Sequence, residues 1–571
     1  MKITLSSSRL VFSFSSILSL VFILSTVHLV EAQPSSADTI RFLEQSTFGP
    51  TNDLITHVQQ VGWEAFLNEQ LAAPTTDYPD LPFWPQTRPT SCTGDCQRDN
   101  YTLYQLQQHF FTNALLGQDQ LRQRVAFALG QILVTSAVDV PLPSWMRGSQ
   151  QLLYAEAFGN FRQLLYDVTL NPAMGRFLNM VNNRCQTPTP ANANVCRNGV
   201  KSQPNENYAR EILQLFSIGT FVLNPDGTRQ VDGSGNPIST YDQNTVEQFA
   251  RVFTGWVLAP ALPGPPDVGG TVPNYRDPMV VRKDSQGRED YHDRGLKTLL
   301  NGVQLPGGQP ADQELNAAID NIADHPNVAP FISKQLIQHL VTSNPSTAYV
   351  QRIASVFVAT RTSATQLFEV VRAILLDDEA RGDSKDPSTL PSYGKLREPV
   401  QFITNVLRAF NAQSDGVLDS LNVGGSAIGS ADMNQDVFNA PSVFSFYPPT
   451  ARVPGESVLG PQFVLFSSLT SLRRDNFVNR LIFSTIPAAP PNRPSGTSID
   501  LSAWIPLAND PNNLIDTLNA LLLHGTMSDD MRQSVITAVT SIPASNDSNR
   551  RIRVQTAIYL ILTSSQYQVQ R

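Results

Sequence analysis

Residues 204 to 219, PNENYAREILQLFSIG, place Glu206 and Glu211 with Asn205, Asn207, Tyr208 and Arg210 on one amphipathic stretch. Two carboxylates in such a setting can serve as acid and base, or as oxygen ligands for a divalent metal. Glu206 and Arg210 stand four apart in the favourable order, and an ion pair accounts for both. Glu211 has no local partner. It borders the apolar stripe of Tyr208, Ile212, Leu215 and Phe216, where a carboxylate is costly unless paired, hydrogen-bonded or bound to a metal. The residues leave two readings of Glu211: a catalytic group, or half of a buried ion pair with an arginine such as Arg251.

A second cluster, YHDRGLK, holds His292, Asp293 and Lys297. Histidine carries protons near neutral pH, and a His-Asp pair can also ligate a metal. The histidines that a metal-dependent phosphohydrolase of the HD type would add are missing at any suitable spacing, and His325 and His339 read as structural. There is no GxSxG elbow, HExxH pair or phosphate-binding loop. DGSGNP at 232–237 fails as a calcium loop, because Pro237 sits where a glycine is needed. The expected catalytic set is therefore Glu206, Glu211, His292, Asp293 and Lys297. Asn205, Asn207, Tyr208, Arg210 and Trp256 are expected to bind substrate, and a divalent metal is compatible with the carboxylates.

The elements that must position these groups are helices. FRQLLYDVTL (161–170), VEQFARVFTGW (246–256), FISKQLIQHLV (331–341), LFEVVRAILLD (367–377) and VQTAIYLILTS (554–564) repeat apolar residues at the helical spacing. Gly219 and Gly255 fall where left-handed helix caps belong. Strand signals are confined to TFVLNPDGTRQVDGSGNPIST, whose NPDG and DGSGNP turns suggest a hairpin. The expected fold is mainly α, a multi-helix globular domain with long loops and a small β-hairpin excursion. The loops fall at 73–97, 184–203, 259–290, 381–394 and 485–498, and the third leads straight into YHDRGLK. Residues 33–484 are expected to form the main helical domain, the Pro-rich 485–498 a linker, and 499–571 a helical segment packed on the main domain.

Residues 1–32 read as a signal peptide: Lys2 and Arg9 lead an apolar, serine-diluted run, and Val30 and Ala32 suit a signal peptidase. No later stretch is apolar enough to span a membrane, so the mature chain is expected in the periplasm or secreted. The whole chain carries a net charge of −8 with dispersed acidic residues, which argues against nucleic acid as a partner. Charged residues make up only 16% of the chain, below the typical ~25%. The four cysteines form two local pairs, Cys92 with Cys96 and Cys185 with Cys196. Outside the cytoplasm such pairs read as disulfides that staple loops.

Several segments, in this order, resemble a large bacterial family catalogued as domain of unknown function 1800. They are RFLEQSTFGPT, PNENYAREILQLFSIG, VEQFARVFTGW, YHDRGLKTLLNG, VVRAILLDDEAR, GKLREPV and NAPSVFSFYPP. The resemblance covers nearly the whole mature chain and is to the long, exported members. It implies an exported, mainly helical protein without a settled activity, and a partnership with another exported protein often encoded nearby. One departure stands out: shorter relatives carry a Trp-His-Asn-His-Phe-like segment where this chain has Leu129, Gly130, Gln131, Ile132 and Leu133. Two functions fit these observations. One is a hydrolase or lyase acting on a cell-envelope or extracellular polymer; the other is a non-catalytic binding or assembly protein at the cell surface.

Overall fold

Short polar side chains start many of the helices. Ser35, Thr51, Asn160, Asn171, Asp242, Ser346, Ser467, Asp510, Ser528 and Asn546 each accept a hydrogen bond from a backbone N–H of the first turn. Such a cap satisfies one of the orphan donors at a helix start and contributes about 1 kcal/mol. The computed structural model describes residues 33–184, 204–382, 385, 389–418, 429–488, 490 and 494–571. Among these residues, helices dominate and extended structure is limited to short antiparallel pairs. The chain is mainly α.

The helices expected from the apolar repeats are present, although RQRVAFALGQILVTSAV (122–138), also helical by its spacing, forms a helix only over Gln120–Ile132. Phe161–Leu170, Gln243–Val252, Val328–Leu340, Gln366–Leu376 and Asp547–Leu562 coincide with the apolar repeats within a few residues. Gly219 and Gly255 cap as expected, with φ of +71° and +94°. The hairpin excursion is thinner than a ladder: Phe221, Leu223 and Val231 make single bridges to Ser239, Arg229 and Pro237. Turn residues fill so much of this stretch that no run of side chains is left to pair.

Residues 34–571 form one compact unit around a continuous apolar core. The two ends of this unit meet inside it. Val569 and Gln570 pair antiparallel with Leu396 and Lys395, and the Ser36–Ser46 helix packs on the Pro511–Leu523 helix. Glu44 fastens this junction: its carboxylate takes two hydrogen bonds from Arg397, at 2.7 and 2.8 Å, and faces His524 at 3.1 Å. Burial pushes the Glu44 carboxyl up, but Arg397 and His524 outweigh it and hold the group at about 2. The Pro-rich 485–498 stretch is bridged near its ends, Ile486 to Thr497, and Thr497 and Ser498 also pair with Ser414 and Gln413.

Cys92 and Cys96 are disulfide-bonded and staple the loop before the Asp95–Tyr101 helix. The signal segment at 1–32 and the pair Cys185–Cys196 lie outside the described residues. Among the described residues, no helix is long and apolar enough to cross a membrane.

Candidate functional site

The Asn207–Gln214 helix is shorter than the amphipathic pattern suggests. Asn205 turns the chain just before it, its Oδ1 accepting from the Asn207 N–H at 2.9 Å. Pro204 therefore lies ahead of the first turn rather than in it. After Gln214 the chain tightens, and the N–H groups of Ile218 and Gly219 both reach the Leu213 carbonyl. Gly219 is obligatory there, because a Cβ in its left-handed conformation would also stand 2.8 Å from the Phe331 ring.

Glu206 and Arg210 make the expected pair at 2.9 Å, and Gln243 bonds both partners. Asn205 and Asn207 are exposed. Tyr208 points inward, its hydroxyl 2.6 Å from the Thr169 hydroxyl and its ring edge-on to Phe253. Trp256 is likewise buried, in a two-residue strand paired with Val280 and Val281. Neither aromatic forms an open wall.

Glu211 keeps the peculiarity that its sequence position suggested. Its side chain is half-buried, and among the described residues its Oε2 is shielded from solvent with no hydrogen-bond partner. Burial pushes its carboxyl above the usual range, opposed only by the charge of Arg210. The hydroxyl of Tyr241 is in the same condition, shielded and without a partner. Burial raises Tyr241 to about 12, and the nearby Glu211 carboxylate adds to the shift. Arg251, the arginine anticipated as a mate for Glu211, is engaged elsewhere.

Arg251 grips Asp293 with two hydrogen bonds, at 2.9 and 3.0 Å. Burial raises the Asp293 carboxyl, but the Arg251 hydrogen bonds and the charges of Lys297 and Arg251 bring it below the ordinary value. His292 is buried beside them, and a Cβ on Gly255 would stand 2.9 Å from the His292 Cβ. Only a glycine lets the end of the Gln243–Val252 helix approach the histidine so closely. The His292 Nδ1 lies 3.0 Å from the Thr254 carbonyl and therefore donates to it. Its Nε2 lies 3.2 Å from Glu314 Oε2, so a proton must sit on one of those two atoms. Lys297 completes the cluster, its Nζ 2.6 Å from the same Glu314 oxygen and 3.1 Å from the Gly295 carbonyl. With both ring nitrogens occupied, His292 offers no lone pair to a metal. Among the described residues no group of three or more histidines, cysteines and acidic residues is placed to hold a metal ion.

The two motifs thus attach to opposite ends of one helix, Gln243–Val252. Gln243 at its start ties to Glu206 and Arg210, and Arg251 near its finish ties to Asp293. Eight residues of helix separate those ties by about 12 Å. Among the described residues no hydrogen bond or ion pair joins Glu211 to His292, Asp293 or Lys297.

A third polar centre lies around Glu398, in the GKLREPV segment. Its Oε2 accepts from Gln131 at 3.2 Å and from Tyr447 at 3.1 Å, and also from Gln435. Burial raises the Glu398 carboxyl, and the charges of Lys395, Arg124 and His339 pull it below the usual value. Lys395 and Arg124 both donate to the His339 carbonyl. In front of this centre lies a narrow, open-mouthed cleft of about 30 Å3, lined by Gln131, Gln338, His339 and Tyr447 among others.

The family model for the protein of unknown function DUF1800 matches residues 41–569. The chain belongs to that family. No curated protein and no solved structure matches it.

Two sets of buried charged residues, Glu314 and the Lys395–Arg397–Glu398 group, escaped the sequence reading, and each left a signal. Glu314 falls in register with Ala311, Leu315, Ala318 and Ile322, all buried on one face of the Ala311–Ala323 helix. A carboxylate in the middle of an apolar stripe marks a buried ion pair. Lys395, Arg397 and Glu398 sit immediately before Pro399 and the apolar run VQFITNVL, a density of charge that only internal pairing can accommodate.

Proposed function

We propose that this is an exported enzyme, a hydrolase or lyase of a cell-envelope or extracellular polymer, in which Glu211 is the general acid. The observation that supports it is the Glu211 carboxyl: half-buried, one oxygen without a partner, and raised by desolvation. A general acid must hold its proton near the working pH and still reach the substrate, and partial burial supplies both. Tyr241 is the second proton-bearing group at the same place. The Glu206–Arg210–Gln243 network borders the acid from the solvent side and is suited to hold polar groups of a substrate. His292, Asp293 and Lys297 act in this reading as the support of the Gln243–Val252 helix, on whose leading end the acid depends.

The test is release of soluble fragments from murein sacculi and from extracellular polysaccharide by the secreted protein, its start confirmed by N-terminal sequencing at Gln33. Wild type should release fragments, and Glu211→Gln should lose release without any fall in its melting temperature. Equal release by both would remove Glu211 from the chemistry.

The second reading, a non-catalytic binding or assembly protein at the cell surface, is favoured by the burial of the His292–Glu314–Lys297 cluster, whose side chains have no exposed surface. That cluster has the form of a register-fixing buried network. Polymer binding without fragment release would favour this reading.

A further inference from the structure

The Ser468–Phe483 helix packs on the short turn Ala431–Met433, and a cavity of about 490 Å3 opens between them. That volume falls in the range of small-molecule sites, roughly 300–1,000 Å3. Phe477 and Met433 form its buried apolar floor, and Phe483 is 46% exposed at its rim. Arg473, Asn476 and Arg480 line it from successive turns of the helix, with Asn479 beside them. Arg473 and Arg480 are seven residues apart, so the polar wall runs for about 10 Å.

These polar groups reach solvent and do little for the fold. Arg473, Asn476 and Asn479 are exposed, and among the described residues their side chains make no hydrogen bond. Arg473 faces Asp432 at 4.0 Å, a long contact at an exposed guanidinium that contributes little stability. Arg480 donates from its Nε to the Thr485 carbonyl at 3.1 Å. That bond orients the guanidinium and leaves its two terminal nitrogens without a partner among the described residues. A purely structural role accounts for Arg480, which complements the carbonyl end of its helix, but not for the two idle amides.

The chemistry of the wall selects the occupant. Two arginines against one aspartate leave one positive charge, which suits a single carboxylate and repels a cation. Phosphoryl groups carry more charge and favour the N–H groups at helix starts, whereas this wall ends on a C-terminal turn. An ammonium group would need a free carboxylate. Asp432 offers one oxygen that faces Arg473 and another that is shielded from solvent. The idle amides each present donors and an acceptor, as hydroxyl groups require. Phe483 adds a flat face for the C–H groups of a pyranose ring.

We infer that this cavity binds a carboxylated sugar, a hexuronate unit of an acidic polysaccharide. The terminal nitrogens of Arg480 take the carboxylate as a fork, and Asn476 and Asn479 take ring hydroxyls. The rest of the chain runs along the helix toward Arg473. The site goes beyond the acid reading and stands without it. Among the described residues no hydrogen bond or ion pair joins the residues of this wall to Glu211.

The experiment titrates the full secreted chain with digalacturonate, a mannuronate disaccharide and cellobiose, read by saturation-transfer NMR and calorimetry. At least one uronate should bind with a Kd of about 1 mM or tighter, and neutral cellobiose at least about tenfold more weakly. Arg480→Gln should weaken uronate binding about tenfold and Asn476→Ala about fivefold. Asn476→Ala, at an exposed position without hydrogen bonds, should keep its melting temperature, so it carries the test if Arg480→Gln fails to fold. No binding of either uronate at about 20 mM overturns the proposal. So does cellobiose binding equally well, or uronate binding that either folded variant retains in full. Displacement of the uronate by an equal concentration of inorganic phosphate overturns it too, since the site would then hold any small anion. Glu211→Gln should bind uronate as wild type does, so failure of the acid reading and failure of this site are read separately.

Discussion

Lys297 Nζ and Glu314 Oε2 stand 2.6 Å apart with neither side chain exposed to solvent. Removing one partner strands the other in a medium that cannot solvate it. Glu314→Gln or Lys297→Met alone should therefore cost about 3–5 kcal/mol, whereas the double variant should recover part of that loss. Denaturant midpoints of the four proteins measure it. Equal losses that simply add would show that the pair is not coupled.

Gly255 and Gly62 separate two costs that a left-handed glycine can carry. Both have positive φ, +94° and +83°, but only Gly255 has a neighbour in the way, the Cβ and backbone of His292. Gly62→Ala should cost about 1–3 kcal/mol, the conformational penalty alone, because its φ of 83° and ψ of 165° are essentially reserved for glycine. Gly255→Ala should cost clearly more, because His292 and its bond to Thr254 must move as well. Similar melting temperatures for the two variants would mean that the His292 segment yields freely.

Local rules made the helices, their caps and the Glu206–Arg210 pair legible, because each depends on residues within one or two turns. The isolation of Glu211 was legible for the same reason. What the sequence could not show is which distant group answers which. Arg251 was an open mate for Glu211, yet it bonds Asp293, since the chain returns through the 259–290 loop and lays YHDRGLK against the end of its helix. Glu398 and Gln131 meet across 267 residues. Such pairings are set by tertiary packing, on which periodicity is silent.

The buried histidines make stability fall on mild acidification. His339 is held at about 4 against an ordinary 6.5, because burial disfavours its charge, Lys395 and Arg124 oppose it, and Glu398 only partly compensates. Its folded value is depressed, so its contribution is complete above pH 6.5 and is lost as the pH falls toward 4. The loss amounts to about 3 kcal/mol. His524, also lowered chiefly by burial, acts in the same direction. Glu44 extends the decline from 4.5 down to about 2. Urea midpoints across this range should show the slope, and His339→Gln should flatten its upper part. An unchanged slope in that variant would exclude His339 as its source.

Glu211 should behave in the opposite sense. Its folded carboxyl is raised above 4.5 by burial, so the folded state holds the proton more tightly than the unfolded chain does. The stability that this proton confers is present below 4.5 and is lost as the pH rises through the folded value. At neutral pH the ionised, partly desolvated carboxylate is thus a liability to the fold. Glu211→Gln should melt higher than wild type at about pH 7, and the advantage should vanish at about pH 3.5, where both side chains are uncharged. Solvent at the half-exposed side chain keeps the gain small. Tyr241→Phe should likewise be neutral or mildly stabilising, since the hydroxyl it removes has no partner among the described residues. A fold that gains stability when a group is removed is one in which that group was kept for another reason, which is the signature expected of an acid retained for chemistry. If Glu211→Gln melts lower at neutral pH, the carboxylate is instead held by a structural partner and the acid reading loses its support.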